Sequence, residues 1–209
     1  MANFTVAGVE VQEGKSRNGG TLVSAFVAVP HDIKREQVKP TLLAAIKGLK
    51  DKYRKCEWIV VYAIPSPALK GTGINAGMAE YAEGKIRIDY GVPSATQLAE
   101  PIGEEFKKTL GADYEPVRLM SQEEFDLAVS VDSTWQELHL RLLDEAQKKA
   151  TQNRARYSEV YRHETKDISD AKLLKLTSQK LNIPEAQAKK LRKQLLMYYG
   201  PFWGNETIG

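Results

Sequence analysis

Arg156 and His163 are the two side chains in this 209-residue chain best suited to acid–base chemistry on a phosphodiester. A guanidinium holds the anion, and an imidazole titrates near neutrality. Six residues lie between them, and seven positions along one helix make two turns, so both would reach one side. A larger set offers binding instead of catalysis. Lys148, Lys149, Arg154, Arg156, Arg162, Lys189, Lys190, Arg192 and Lys193 crowd into residues 148–193, where 13 basic side chains stand against five acidic ones. Clustered positive charge is the footprint of a surface that contacts phosphates, so nucleic acid is the first partner anticipated and an acidic protein surface the second. Residues 121–147 carry seven acidic residues and one basic residue, Arg141, so the net charge of +3 hides two oppositely charged neighbours. The same basic residues also suit the solvated faces of amphipathic helices, or neutralisation by the acidic stretch of the same molecule or a neighbouring copy.

Other chemical templates are missing from the sequence. There is no H-E-x-x-H or G-x-S-x-G, and one cysteine with three histidines leaves little for a zinc site, so neither metal nor cofactor is expected. Cys56, beside Trp58, reads as a small packed residue. His31-Asp32 is either a site pair or a helix N-cap, and Glu104-Glu105 and Glu123-Glu124 fall in first helical turns, where the helix dipole favours them. The loop Lys70 to Gly77 (KGTGINAG) is glycine-rich but has no Lys-Ser/Thr pair, and a strand, not a helix, follows it. It lacks the helix N-terminus that a phosphate cradle uses, and a surface loop is expected.

Leu174 to Leu195 resembles a helix-turn-helix unit. Ser178 stands as the small residue of the first helix, Asn182 at the turn position usually held by glycine, and Ile183, Ala188 and Leu191 at buried positions. A plain helical hairpin with Pro184 in its turn reads the same way. The Arg156–His163 spacing resembles the R-x4-6-H pattern of HEPN ribonucleases. That resemblance implies RNA cleavage with the two residues contributed by paired helices, usually across a dimer. Residues 22–90, through Tyr62-Ala63-Ile64-Pro65 and Gly71 to Ala82, are faintly similar to small uncharacterised bacterial α+β domains; this implies a fold and no activity.

The elements that position these residues follow from periodicity. Phe4 to Val11 alternates weakly, and Leu22 to Val29 is apolar on both alternating faces, as in a strand covered on both sides. Val38, Leu42, Ile46, Leu49 and Tyr53 mark one helical face, with Pro40 expected in the first turn. Trp58 to Ile64 is a β-branched apolar run, predicted to pair parallel with 22–29 across the helix. Met78 to Ala82 and Ile86 to Tyr90 bracket Glu83-Gly84 as a hairpin, with Arg87 and Asp89 on its wet side. Capping-box spacing at Ser94/Gln97, Ser121/Glu124 and Ser133/Gln136 predicts three helix starts, with Ile102, Phe106 and Leu110 striping the first. A long helix is expected from Thr134 to about Glu164, with Tyr157, Val160 and Tyr161 on its packed side, then helices opened by Ser169 and Pro184.

The fold class expected is α+β: an N-terminal mixed sheet with one packed helix in ββαβββ order, then a mostly helical C-terminal region. Expected boundaries are residues 1–112, a linker at 113–120, and a helical region at 121–209 holding the long helix and a helical hairpin. Hydrophobic residues make up 42% and no apolar run is long enough to span a bilayer. With no secretory leader legible, a cytoplasmic chain that binds no membrane is expected. The aromatics Tyr198, Tyr199, Phe202 and Trp203 either dock within the protein or form an interface in a homo-oligomer. The function expected is a non-enzymatic binding or accessory protein, bacterial or phage in style, that shows a basic helical surface to nucleic acid. The alternatives are a HEPN-like ribonuclease and a self-assembling or protein-interaction module.

Overall fold

The structure, a computed structural model, describes residues 3–13, 20–99 and 116–209. Its first elements are β1 (Thr5–Gln12), β2 (Leu22–Ala28), α1 (Arg35–Lys52), β3 (Trp58–Ile64), β4 (Gly77–Ala82), β5 (Lys85–Tyr90) and the short α2 (Ala95–Ala99). Helices α3 (Gln122–Gln152), α4 (Tyr157–Thr165), α5 (Asp170–Leu181) and α6 (Glu185–Tyr199) follow, and β6 (Asn205–Ile208) closes the chain. The fold is α+β, a six-stranded mixed sheet followed by a mostly helical region. Two compact units divide the chain: residues 121–193 form one, and residues up to 120 together with 194–209 form the other.

The sheet runs β1-β2-β3-β4-β5-β6. Only β2 and β3 are parallel, Leu22 facing Trp58 and Ala28 facing Ile64, because α1 carries the chain back between them. Helix α1 buries Val38, Leu42, Ile46 and Leu49, on the face that period 3.6 marks. Val23, Ala25, Val27, Ile59, Val61, Ala63, Ala79 and Ile88 are all buried, and their alternation places them on one face of the sheet. Gly77 belongs to that face, where a Cβ would lie 2.5 Å from Val38 Cγ1, so helix and strand meet more closely there than a side chain permits. Of the residues of opposite parity, Ser24, Phe26, Tyr62 and Met78 are half-buried, whereas Val60, Ile64 and Asp89 are buried. Glu83 (φ 51°) and Gly84 (φ 82°) both take the left-handed conformation that a two-residue hairpin demands.

Several expectations are corrected. Pro40 sits in the second turn of α1, which starts at Arg35, and Thr41 Oγ1 donates to the Gln37 carbonyl there. The cap position is Lys34, not Asp32, and its N–H donates to the Gln37 side chain. Asp89 is not wet: it is 2% exposed and accepts from Arg87. The capping boxes at Ser94 and Ser121 form, with both serine hydroxyls accepting the expected N–H. Ser133 starts nothing: it lies inside α3, and its hydroxyl donates to the Ser130 carbonyl, the local bond open to a mid-helix serine. The helix expected over 134–164 begins instead at Ser121 and stops at Gln152, where Asn153 (φ −113°, ψ 56°) and a 3-10 turn at Arg154–Arg156 precede α4. The Ile102–Phe106–Leu110 stripe and Glu104-Glu105 lie outside the described residues. Of the stretch expected as a linker, residues 116–120 lack regular structure, yet Val117 and Met120 are buried.

The sixth strand escapes sequence reading because it is four residues long and three of them are polar. What holds it is tertiary: β6 pairs antiparallel with β5, and Glu206 accepts from the Tyr90 hydroxyl and from Lys39 Nζ at 3.0 Å. These two bonds hold the Glu206 carboxyl below the usual carboxylate range. Burial, then the hydrogen bond to Glu206, pushes the Tyr90 hydroxyl up to about 12. Between the ordinary tyrosine value and that one the folded chain keeps a proton that the unfolded chain has lost. Stability from this group is therefore fully present below about pH 10 and is lost as pH rises toward 12. Urea midpoints at about pH 9 and 11 should drop less in Tyr90→Phe than in the parent; an equal drop refutes the assignment.

Candidate nucleic-acid interface

Helices α5 and α6 build the most specific local geometry in the helical unit. Ser169 caps α5 by accepting the Lys172 N–H at 3.2 Å. The helix ends where Asn182 adopts φ 53°, ψ 46°, a left-handed cap that asparagine tolerates at modest cost. The Ile183 N–H then reaches back to the Ser178 carbonyl at 3.1 Å, which satisfies an end-of-helix acceptor and turns the chain sharply. Pro184, lacking an N–H, needs no partner there, and its carbonyl accepts from Ala188. Thr177, Ser178, Ala188 and Leu191 are buried, and Glu185, Gln187, Lys189 and Lys190 are exposed. Burial thus follows the helix-turn-helix spacing at each of these positions, with Ile183 half-buried.

The basic residues are not equally exposed. Lys148 is bound to Asp144 and Lys149 to Glu164, each at 2.6 Å, and both ammonium groups are raised above the usual lysine range by these hydrogen bonds. Arg154 and Arg162 are exposed. Arg156 binds Glu159 at 3.0 Å. Lys189 and Lys190 are exposed on α6, and Lys193 is half-buried. Arg192 is a correction: its side chain is only 16% exposed, bonded to Asp132 at 3.0 Å and Asp170 at 3.1 Å, and it lies 3.8 Å over the Trp135 ring. It supports the unit and is no free phosphate contact. Lys180–Glu137 and Arg192–Asp132 join basic and acidic segments inside one molecule, so those charges need no neighbouring copy to neutralise them.

Two aromatic side chains expected on a packed stripe are not buried: Tyr157 is exposed and Tyr161 half-buried. Helix α4 has no fully buried residue, and its Tyr157 and Tyr161 rings stack parallel at 6.0 Å. Tyr157 is 39% exposed, and Arg154, Arg156 and Arg162 flank the pair in sequence. The i, i+4 spacing of two tyrosines was the available signal; the helix break at 153–156 hid it, because a continuous helix would have put them on the packed stripe. The two residues expected to catalyse lie at the N-cap of α4 and within it. Arg156 precedes α4, tied to Glu159, and His163 lies within α4 with its side chain 85% exposed.

The C-terminal aromatics divide. Tyr199 and Tyr198 are 1% and 4% exposed and meet edge to face at 4.6 Å, so they are core residues of the sheet-bearing unit, not an interface. The Tyr199 hydroxyl donates to the His31 carbonyl, and burial pushes it well above the ordinary tyrosine range. His31 Nε2 sits 3.3 Å from the Met120 carbonyl oxygen. Trp203 donates its backbone N–H to the Tyr90 carbonyl and is half-buried, whereas Phe202 stays 62% exposed.

Among the described residues, no helix is long and apolar enough to cross a membrane, and no group of three or more His, Cys, Asp or Glu is placed to hold a metal ion. Comparison with protein-family models, with curated proteins and with solved structures returned no match.

Proposed function

We propose that this protein binds nucleic acid without catalysing a reaction, with the helical unit as the contacting part. The observation that carries the reading is the α5–turn–α6 geometry: a left-handed Asn182, buried Ser178 and Ala188, and an exposed first half of α6 bearing Gln187, Lys189 and Lys190. Such a helix start offers side chains to a groove and N–H groups to phosphates. The Tyr157–Tyr161 pair, flanked by arginines, adds rings on which bases can stack. Internal pairing of Lys148, Lys149, Arg156 and Arg192 reduces the usable charge, so modest affinity is expected.

Fluorescence anisotropy with a labelled duplex of about 20 base pairs and a single-stranded RNA of similar length, across about 50–200 mM salt, tests this. Binding should weaken linearly in log–log form, and Lys189→Ala with Lys190→Ala should reduce the slope by about 2, near one per lost phosphate contact. No binding of either probe at about 50 mM salt overturns the proposal. RNA shortening during the assay, abolished by Arg156→Ala or His163→Ala, would replace it with the ribonuclease reading.

A further inference from the structure

A cleft of about 810 Å³ opens at the start of α1 in the sheet-bearing unit. Its volume is that of a small-molecule site. Ile33, Pro93, Leu98 and Leu119 give it an apolar side, where Leu119 stays 39% exposed. Arg35 fixes the walls. Its Nη1 donates to the Gln97 side chain at 2.8 Å and to the Trp203 carbonyl at 2.9 Å. Its guanidinium also lies 4.6 Å from the Tyr90 ring centre, so α1, α2, β5 and the chain ahead of β6 meet around one opening.

Tyr198 is the residue that points to a ligand. It is 4% exposed and lines the cleft. The neighbouring Tyr199 hydroxyl has the His31 carbonyl as its acceptor, whereas the Tyr198 hydroxyl has no hydrogen-bond partner among the described residues. Unlike Trp203 Nε1, an unpartnered atom sealed from solvent, this hydroxyl keeps an open side, and the cleft is what it opens on. Burial and then the Asp32 charge push it above the ordinary tyrosine range, so near neutrality it can both donate and accept.

The charges at the mouth are of both signs. Asp32, Lys34 and Glu36 line it, all exposed and none in an ion pair with a described residue, whereas Lys39 is held by Glu206 at 3.0 Å. The first N–H groups of the 18-residue α1 open at the same end, where the helix dipole favours a carboxylate. A simple anion there would meet Asp32 and Glu36, and a simple cation would meet Lys34 and the helix start. A ligand carrying both charges on one carbon satisfies each set.

We propose that this cleft binds a free amino acid with a large apolar side chain. Its carboxylate lies at Lys34 and the start of α1, its ammonium between Asp32 and the Tyr198 hydroxyl oxygen, and its side chain against Pro93, Leu98 and Leu119. The site belongs to the sheet-bearing unit and does not rest on the nucleic-acid reading of the helices. The test is a titration of the full chain, followed by amide NMR shifts, with L-phenylalanine, with 3-phenylpropionate (no ammonium) and with 2-phenylethylamine (no carboxylate). Saturable shifts at Arg35, Glu36 and Leu98 are expected with L-phenylalanine. Each partial analogue should bind at least about tenfold more weakly, the least that a lost charged hydrogen bond costs. Tyr198→Phe and Asp32→Asn should each weaken L-phenylalanine by about tenfold. Asp32 is exposed, so its variant decides the question should Tyr198→Phe fail to fold. Equal binding of either analogue, unchanged affinity in a folded variant, or no saturable shift by about 10 mM each overturns the proposal.

Discussion

Arg192→Ala should destabilise the helical unit by about 3–5 kcal/mol, the largest effect expected of any single charged residue here. Asp132 is fully buried, and its two oxygens accept from Arg192 Nε at 3.0 Å and Gln136 Nε2 at 2.7 Å. Removing the guanidinium leaves a carboxylate inside the unit with half its compensation gone, and desolvation makes that far costlier than loss of a surface pair. The stacking of Arg192 on Trp135 is lost as well. Urea unfolding followed by helical circular dichroism measures the effect, with Lys148→Ala as comparison. That lysine, paired with Asp144 on the surface, should change stability by less than about 1 kcal/mol. Similar midpoints for the two variants would show that Asp132 is compensated by something else. Asp132→Leu combined with Arg192→Leu should recover much of the loss, because a buried pair is often replaceable by apolar volume.

Tyr199→Ala should cost the sheet-bearing unit about 3–5 kcal/mol, the range for emptying a large aromatic site. The ring is 1% exposed, packs edge to face on Tyr198, and its hydroxyl donates to the His31 carbonyl. Tyr199→Phe separates the two contributions, since it keeps the packing and removes one hydrogen bond, for about 0.5–1.5 kcal/mol. Phe202→Ala is the internal control: its ring is 62% exposed, and its loss should register within about 0.5 kcal/mol. Thermal melts that rank the variants Tyr199→Ala, then Tyr199→Phe, then Phe202→Ala establish Tyr199 as core. A large effect at Phe202 alone would return the aromatic cluster to the role of an interface.

The candidate interface was partly readable from the chain. Ser178, Asn182, Ala188 and Leu191 suit a helix-turn-helix and a plain helical hairpin equally in residue type: a left-handed turn former sits at the bend, with small and apolar residues buried on the helices either side. Which lysines and arginines remain available was not readable. Partners of Arg192 and Lys180 come from Asp132 and Glu137, dozens of positions earlier, and only the packing of helices brings them within reach.

Local chemistry in the sequence determined the strands at 22–28 and 58–64, their helical crossover, the Glu83-Gly84 hairpin and the caps at Ser94, Ser121 and Ser169, since each depends on residues within a few positions of one another. Tertiary structure alone decided that Asn205–Ile208 completes the sheet, that Tyr198 and Tyr199 are core, that the helix breaks at 153–156 before Tyr157, and that the glycine-rich loop borders an open pocket with Phe26 and Tyr62. The physical reason is range. Backbone conformation and amphipathic period are set by neighbours in the chain, whereas burial, charge pairing and enclosed space depend on what distant segments cover.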